Sequence, residues 1–452
     1  MATDRRRLLQ TSAALLAGSV LTVAGPARAK SKPPAPPLLD ASLDPNSNAD
    51  HTVALQAAIE RAAAERRVLQ LPAGTFLCKT LGLPSGTRIA GVPGATRLSF
   101  IGQDAFLVAS HADGLWLENL IIDGALEPLA PEVTDGLLTF ADCTNLTLQN
   151  LTIERSLLNG LSLRRCSGRI TGCKVNACGA TAIFSLDGAG LTISANVISD
   201  IGNNGIQVWR SETGEDGSVV SGNRISKIAA RAGGDGPNGN GVNIFRASHV
   251  RVAENTITDC AFSGVRANSA SNCQITANSI VRMGEVAIYA EFAFQGAVIA
   301  NNIVDGASVG ISVTNFNEGG RLAAVTGNLL RNLHRKSASG EDQGIGISVE
   351  ADTSVSGNVI EGAERIGIQA GWGAFRRDIA VTGNVVRASS IGIALASDAS
   401  AGAVLVAQNL ISGASDGGIR MMDHETPVGA DLSSNANGRA APGITLHGNI
   451  SS

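Results

Sequence analysis

Arg266, Tyr289 and Glu291 stand in two short apolar–polar alternations, Gly264-Val265-Arg266-Ala267-Asn268 and Ala287-Ile288-Tyr289-Ala290-Glu291. Read as strands with one buried face, these point Val265, Ala267, Ile288 and Ala290 inward and leave Arg266, Asn268, Tyr289 and Glu291 outward. A glutamate with a raised pKa acts as general acid or base, and a tyrosine beside it is a second proton carrier. An arginine neutralises a carboxylate or stabilises developing negative charge. Aromatic faces add packing against a sugar ring. In the same phase Gln207, Trp209, Asn243 and Phe245 come before these strands, and Ser312, Thr314, Ser348 and Glu350 come after. The candidate catalytic residues are therefore Glu291, Tyr289 and Arg266. The candidate substrate-binding residues are Trp209, Arg210, Asn243, Arg246, Asn268 and Glu350. The plainer account of the same positions is an exposed polar ladder with ordinary cross-strand pairs.

What would place these side chains together is a repeat. A phrase of the form apolar-x-x-Asn recurs as Val220-Ser-Gly-Asn223, Ile275-Thr-Ala-Asn278, Val325-Thr-Gly-Asn328, Val355-Ser-Gly-Asn358 and Val381-Thr-Gly-Asn384. A second phrase, Gly-apolar-x-apolar, follows most of these marks, as at Gly205, Gly241, Gly264, Gly310, Gly367 and Gly392. A period near 23 residues is too short for a helix pair but holds three short strands and their turns. The expected fold is all-β, a right-handed parallel β-helix of about 11–13 coils stacked about 4.8 Å apart. Asn suits the turn because it tolerates left-handed backbone and bonds neighbouring coils, so the recurring asparagines read as structural. Residues 50–67 read as a cap. Leu55, Ala58, Ile59 and Ala62 fall at helical spacing behind Asp50 or Thr52 as N-cap, and such a helix would cover the first open edge.

The mark spacing itself repeats. From Asn150 through Cys173, Asn196 and Asn223 to Asn255 the steps are 23, 23, 27 and 32; through Asn278, Asn301 and Asn328 to Asn358 they are 23, 23, 27 and 30. Insertions recur in register, at 210–218 and 315–321 and at 229–240 and 332–343. Insertions of matching phase leave a solenoid on matching sides, so loop walls are expected four coils apart, on the order of 19 Å, with the Arg266 and Tyr289 coils as the floor between them.

Asp50-x-x-x-Ala54-Leu55-Gln56-Ala57-Ala58-Ile59 followed by Leu71-Pro72-Ala73-Gly74-Thr75-Phe76 resembles the opening of pectin-lyase-like β-helix proteins. The remainder resembles the family of twin-arginine-translocated β-helix repeat proteins. The wider group contains polysaccharide lyases, epimerases and hydrolases as well as non-enzymes. The resemblance thus implies action on, or binding of, an acidic polysaccharide or oligosaccharide, with a non-catalytic glycan- or protein-binding envelope protein as the alternative. Asp135-Gly136 resembles a motif of pectin-degrading hydrolases, but the paired Asp-Asp, Gly-His-Gly and Arg-x-Lys elements are missing. The clustered aspartates of calcium-dependent pectate lyases are not evident either. No metal set is read from the sequence, and the cofactor is left unassigned. Gly233–Gly241 reads as a flexible insertion, and Met421-Met422-Asp423-His424 as strand end and loop.

Composition narrows the partners. Of 452 residues, 53 are Gly, aromatics make 3% and charged residues 16%, which suits many short strands and tight turns; a net charge of −4 offers no basic footprint for nucleic acid. Arg5-Arg6-Arg7-Leu8-Leu9-Gln10, the apolar stretch Leu15–Val23 and Ala27-Arg28-Ala29 form a twin-arginine signal, departing from the usual pattern at Leu8. The expected organisation is a signal over 1–29, a Pro-rich linker over 30–40 and one β-helix domain over 41–452. The implied partner is the twin-arginine export machinery, the location periplasmic or secreted, with no membrane span after cleavage. Seven cysteines, an odd number, imply no full disulfide framework, and Cys143 and Cys166 are expected to stack as small buried apolar groups. Intact mass of the exported protein should give a chain beginning at Lys30; retention of the three arginines would contradict the signal.

Overall fold

The computed structural model describes Pro37, residues 43–45 and residues 47–452 apart from 133, 235, 435 and 436. The signal over 1–29 and all of the 30–40 linker but Pro37 lie outside the described residues. From residue 69 the chain winds into a parallel β-helix of about 14 turns. One turn shows the plan. Leu146–Gln149, Thr152–Ser156 and Asn159–Arg164 pair in parallel with Gly168–Thr171, Lys174–Cys178 and Thr181–Leu186 of the next turn. Three ladders thus run along the molecule, called here the first, second and third faces. The alternation written in the sequence sets what each buries. Leu148, Ile170, Ile193, Val220, Val252, Ile275, Ile299 and Val325 stack inward from the first face with almost no exposure. The count exceeds 11–13 because the opening turns lack the Asn phrase; Gly74–Cys78 already pairs with Thr96–Phe100.

Between the first and second faces the repeat becomes a continuous buried column: Asn196, Asn223, Asn255, Asn278, Asn302, Asn328, Asn358, Asn384, Asn409 and Asn449. From Asn223 on, each Oδ1 accepts two hydrogen bonds from the preceding asparagine, from its backbone N–H and its Nδ2. At Asn302 these come from Asn278, at 2.9 and 3.0 Å. Each Nδ2 also donates to a carbonyl one coil back, as Asn278 does to Val252 at 3.0 Å. The left-handed residue is the one before the asparagine, as with Ala195, Gly222, Glu254, Ala277 and Asn301. The sequence marks at Asn119, Asn150 and Asn301 therefore fall on the turn residue, and the ladder passes through Leu151 and Asn302 instead. At Cys173 the backbone N–H still donates to Asn196 Oδ1 at 2.9 Å.

Both ends are closed. The helix Thr52–Ala64, shorter than the cap read over 50–67, buries Leu55, Ala58, Ile59 and Ala62. His51 is its N-cap residue, and Asp50 caps by accepting the Thr52 N–H at 2.9 Å. Gln56 accepts from Gly82 N–H at 2.9 Å and donates to Gly82 carbonyl at 3.1 Å, occupying the edge of the first third-face strand. At the far end Thr426–Val428 and Asn437–Ala441 turn back antiparallel on the last long strand and on Ile444–His447.

Asn302→Ala strips partners from two buried donors of Asn278 and should lower stability by roughly 2 kcal/mol or more. Asn301→Ala, at a turn position that alanine fills in other coils, should cost much less. Thermal melts of both variants check the register; equal losses would contradict it.

Candidate functional site on the third face

Strand register brings the candidate residues onto two outward columns. One runs Phe184, Gln207, Asn243, Arg266, Tyr289, Ser312, Ser348 and Gln369; the other runs Leu186, Trp209, Phe245, Asn268 and Glu291 and continues to Thr314 and Glu350. Arg266–Tyr289 and Asn268–Glu291 are direct neighbours, as the phase of the repeat predicts. The strands opening at Asn204 and Val309 are four rungs apart, about 19 Å. Each carries an insertion at its end. The first continues as strand to Glu215 with a register shift between Trp209 and Gly214; the second makes the short 3₁₀ turn Phe316–Glu318.

The opposite rim is built by the other insertions. Residues 236–240 are held back onto the previous coil, where Asn204 donates to the Pro237 carbonyl at 2.8 Å and Gly239 N–H to the Asn203 carbonyl at 2.6 Å. Gly236 leans over the floor, accepting from Asn243 Nδ2 at 3.2 Å; a Cβ there would stand 3.7 Å from the Arg266 guanidinium. Residues 334–343 likewise reach back two coils, with Ala338 N–H donating to the Gly284 carbonyl at 2.7 Å.

That overhang changes the centre of the site. Arg266 and Glu291 were expected to stand exposed, but they are 9% and 2% exposed. Arg266 Nε and Nη2 donate to Glu291 Oε1 and Oε2 at 2.6 and 2.9 Å, and Asn268 Nδ2 donates to Oε1 at 2.9 Å. Both carboxylate oxygens are thus occupied. Arg266 also has Glu285 at 3.9 Å from Nη1 and lies 5.0 Å over the Tyr289 ring. Burial disfavours the Arg266 charge, but the bonds and charge of Glu291 outweigh it and hold the guanidinium above its ordinary pKa. Burial, with the Glu291 charge, pushes the Tyr289 hydroxyl up to about 12, and it bonds the Thr314 side chain.

Two clusters flank this pair. Upstream, Trp209 meets Phe184 and Phe245 edge-on at 5.8 and 5.6 Å and donates Nε1–H to Asn243 Oδ1 at 3.0 Å. Arg246 lies 4.7 Å over Phe245 and donates to the Ser211 carbonyl; Arg210 donates to the Gly188 carbonyl. Among the described residues neither arginine has a carboxylate within ion-pair distance. Downstream, Glu350 Oε2 accepts the Phe316 N–H at 2.7 Å, Phe316 meets Phe375 edge-on, and Trp372 meets His424. Burial raises the Glu350 carboxyl above its ordinary range, opposed by that N–H. Glu350 is two rungs, about 10 Å, from Glu291, so the candidates share a face without forming one cluster. Phe184, Phe316, Trp372 and Phe375 were not among them. Phe184 continues the Gln207 column and was within reach of the phase argument, whereas the others come from irregular turns with no periodic signal.

The weaker motifs have structural partners. Asp135 pairs with Arg164, and Met422 packs outward beside Ala394 while Met421 packs against the main core. All seven cysteines are buried free thiols. Among the described residues no group of three or more His, Cys, Asp or Glu side chains is arranged to hold a metal ion, and no helix is long and apolar enough to cross a membrane.

The family model described as "Right handed beta helix region" matches residues 96–225 and 213–330. No curated protein matches the chain. Among solved structures, the catalytic unit of a thermostable GH87 α-1,3-glucanase from Streptomyces thermodiastaticus strain HF3-3 is similar at 15% identity, covering 94% of this chain and 70% of that one, with a TM-score of 0.50. Tailspike protein 3 of bacteriophage CBA120 is similar at 11% identity, covering 89% of this chain and 59% of that one, with a TM-score of 0.53. At these identities the likeness is one of fold.

Glu291→Gln leaves the Arg266 charge buried with a neutral partner and should cost about 3 kcal/mol. Arg282→Ala, which removes the exposed pair with Asp259, should leave the melting midpoint almost unchanged. Equal midpoints for the two variants would show that the central pair does not brace the coils.

Proposed function

Since the chain belongs to the right-handed β-helix family, whose solenoid supplies a rigid platform, we propose that its third face is a groove for an acidic polysaccharide or oligosaccharide. The observation that carries this reading is the concentration of Trp209, Asn243, Arg266, Asn268, Tyr289, Thr314 and Glu350 on the one face where insertions rise on both rims. Trp209 and Phe245 form the stacking platform. Arg246, which has no carboxylate within ion-pair distance among the described residues, takes the sugar carboxylate, with Arg210, whose charge already acts on Asp187 and Asp216, beside it. Glu291 positions Arg266, and that fixed pair with Tyr289 forms the polar floor. In this reading the protein is exported by the twin-arginine route and works in the periplasm or outside the cell. The occupied oxygens of Glu291 favour binding over acid–base chemistry at the pair itself, which keeps a purely glycan-binding protein as the second reading.

Calorimetry with polygalacturonate, alginate and a neutral glucan tests the groove. The acidic chains should bind more tightly than the neutral one and lose affinity as salt rises. Trp209→Ala and Arg246→Ala should each weaken binding about tenfold or more. Equal binding of neutral and acidic chains, or wild-type affinity in both variants, would sink the assignment.

A further inference from the structure

The third face carries a carboxyl group that is built differently from its neighbours. Asp135 holds Arg164, Glu291 holds Arg266, and Asp352 holds both Arg321 and Arg377. Glu350 holds no cation among the described residues. Its bonds are to neutral backbone donors, the Phe316 N–H at 2.7 Å and that of Asn315. The nearest basic group on that side, Arg377, lies 4.4 Å over the Phe316 ring, but its fork is spent on Asp352 at 2.8 and 2.6 Å. Glu350 is half-buried at the groove rather than sealed beneath it. The strand rungs before it bring three hydroxyls alongside: Tyr289, Ser312 and Thr314, the last two 3.3 Å apart.

We propose that Glu350 is the proton donor for hydrolysis of a glycosidic bond lying across the third face, an assignment that rests on the groove reading above. Two glutamates on one column thus have opposite characters, set by their surroundings. Glu291 has both oxygens taken up by the Arg266 guanidinium. Glu350 is half-buried with no cation in ion-pair distance among the described residues, and burial, outweighing its two backbone N–H bonds, favours the neutral acid that a donor must be. The other ionisable groups on the segments around it are Tyr289 and Glu291 two coils back, Glu318 and Arg321 on the insertion that bonds it, Asp352 in the turn after its strand, and Arg376 and Arg377 on the following turn. In the step, Glu350 gives its proton to the bridging oxygen as the bond from that oxygen to the anomeric carbon breaks, and the bonding pair leaves with the oxygen as a hydroxyl. Water supplies hydroxide to the anomeric carbon, and its remaining proton restores Glu350.

The test is reducing-end release by the mature protein from polygalacturonate, alginate and a neutral glucan, for wild type, Glu350→Gln, Glu350→Asp and the exposed control Glu361→Gln. Expected are new reducing ends with wild type and the control, and a loss of about 100-fold or more in turnover for Glu350→Gln. KM should stay within about threefold, the rate should no longer depend on a protonated group on the basic side of its pH profile, and Glu350→Asp should recover part of the turnover. Unchanged melting of Glu350→Gln separates this from misfolding. Full turnover with an unchanged pH profile in Glu350→Gln overturns the assignment. So does a wild type that binds a glycan by calorimetry yet releases no reducing ends, which leaves the groove standing. A wild type that binds none removes the groove as well.

Discussion

The coils of this protein are held in register by a column of buried asparagine amides. An amide taken out of water is costly unless its donors and acceptor are satisfied, and within the column, as at Asn278 and Asn302, an Oδ1 accepts two bonds while the Nδ2 donates at least two. That arithmetic works only if every coil stops at the same phase. A one-residue slip would strand the amide and also turn the alternating Ile, Leu and Val faces outward. The column therefore fixes one corner of every coil from Asn196 to Asn449. Variation in coil length is pushed to the other two turns, where the insertions on both rims of the third face arise.

Given that fixed corner, the third face behaves as a templated surface. Side chains one coil apart are direct neighbours, so a pair such as Arg266 and Glu291 is specified by the stacking and not by local sequence. Gly236 overhangs that pair, which is buried. A low-dielectric setting strengthens an ion pair but charges a desolvation cost, which is met here by a bidentate fork and a third bond from Asn268. The same face farther along holds Glu350 half-buried, bonded to backbone N–H groups of Phe316 and Asn315. The face thus offers a rigid neutralised pair at its centre, a cation at Arg246 with no carboxylate within ion-pair distance among the described residues, and a carboxyl without a paired cation there at Glu350.

The fold was legible because its signal is repeated. Apolar alternation, the Asn phrase and the matched insertions all report the same coil, and they placed Arg266 beside Tyr289 and Asn268 beside Glu291 before any coordinates. The helix face of Leu55, Ala58, Ile59 and Ala62 was equally plain. Two things were not legible. The phrase does not distinguish the left-handed turn residue from the buried ladder residue when both are asparagine, so Asn301 took the place of Asn302. Exposure on the third face was also misjudged. Strand alternation says which side of the sheet a residue leaves, but it is silent on whether a Gly-rich insertion folds back over it, as Gly236 does over Asn243 and Arg266. The downstream aromatic cluster escaped for a related reason, since Phe316, Trp372 and Phe375 sit in turns of irregular length.

The central claim is that ligand binding is confined to one of three faces. Backbone hydrogen exchange with and without a uronate oligosaccharide at saturating concentration measures this directly. The account predicts slowed exchange in 204–215, 229–248, 286–291 and 314–318, with the first and second faces unaffected. Slowed exchange along the first or second face, or none anywhere despite measured binding, would contradict it.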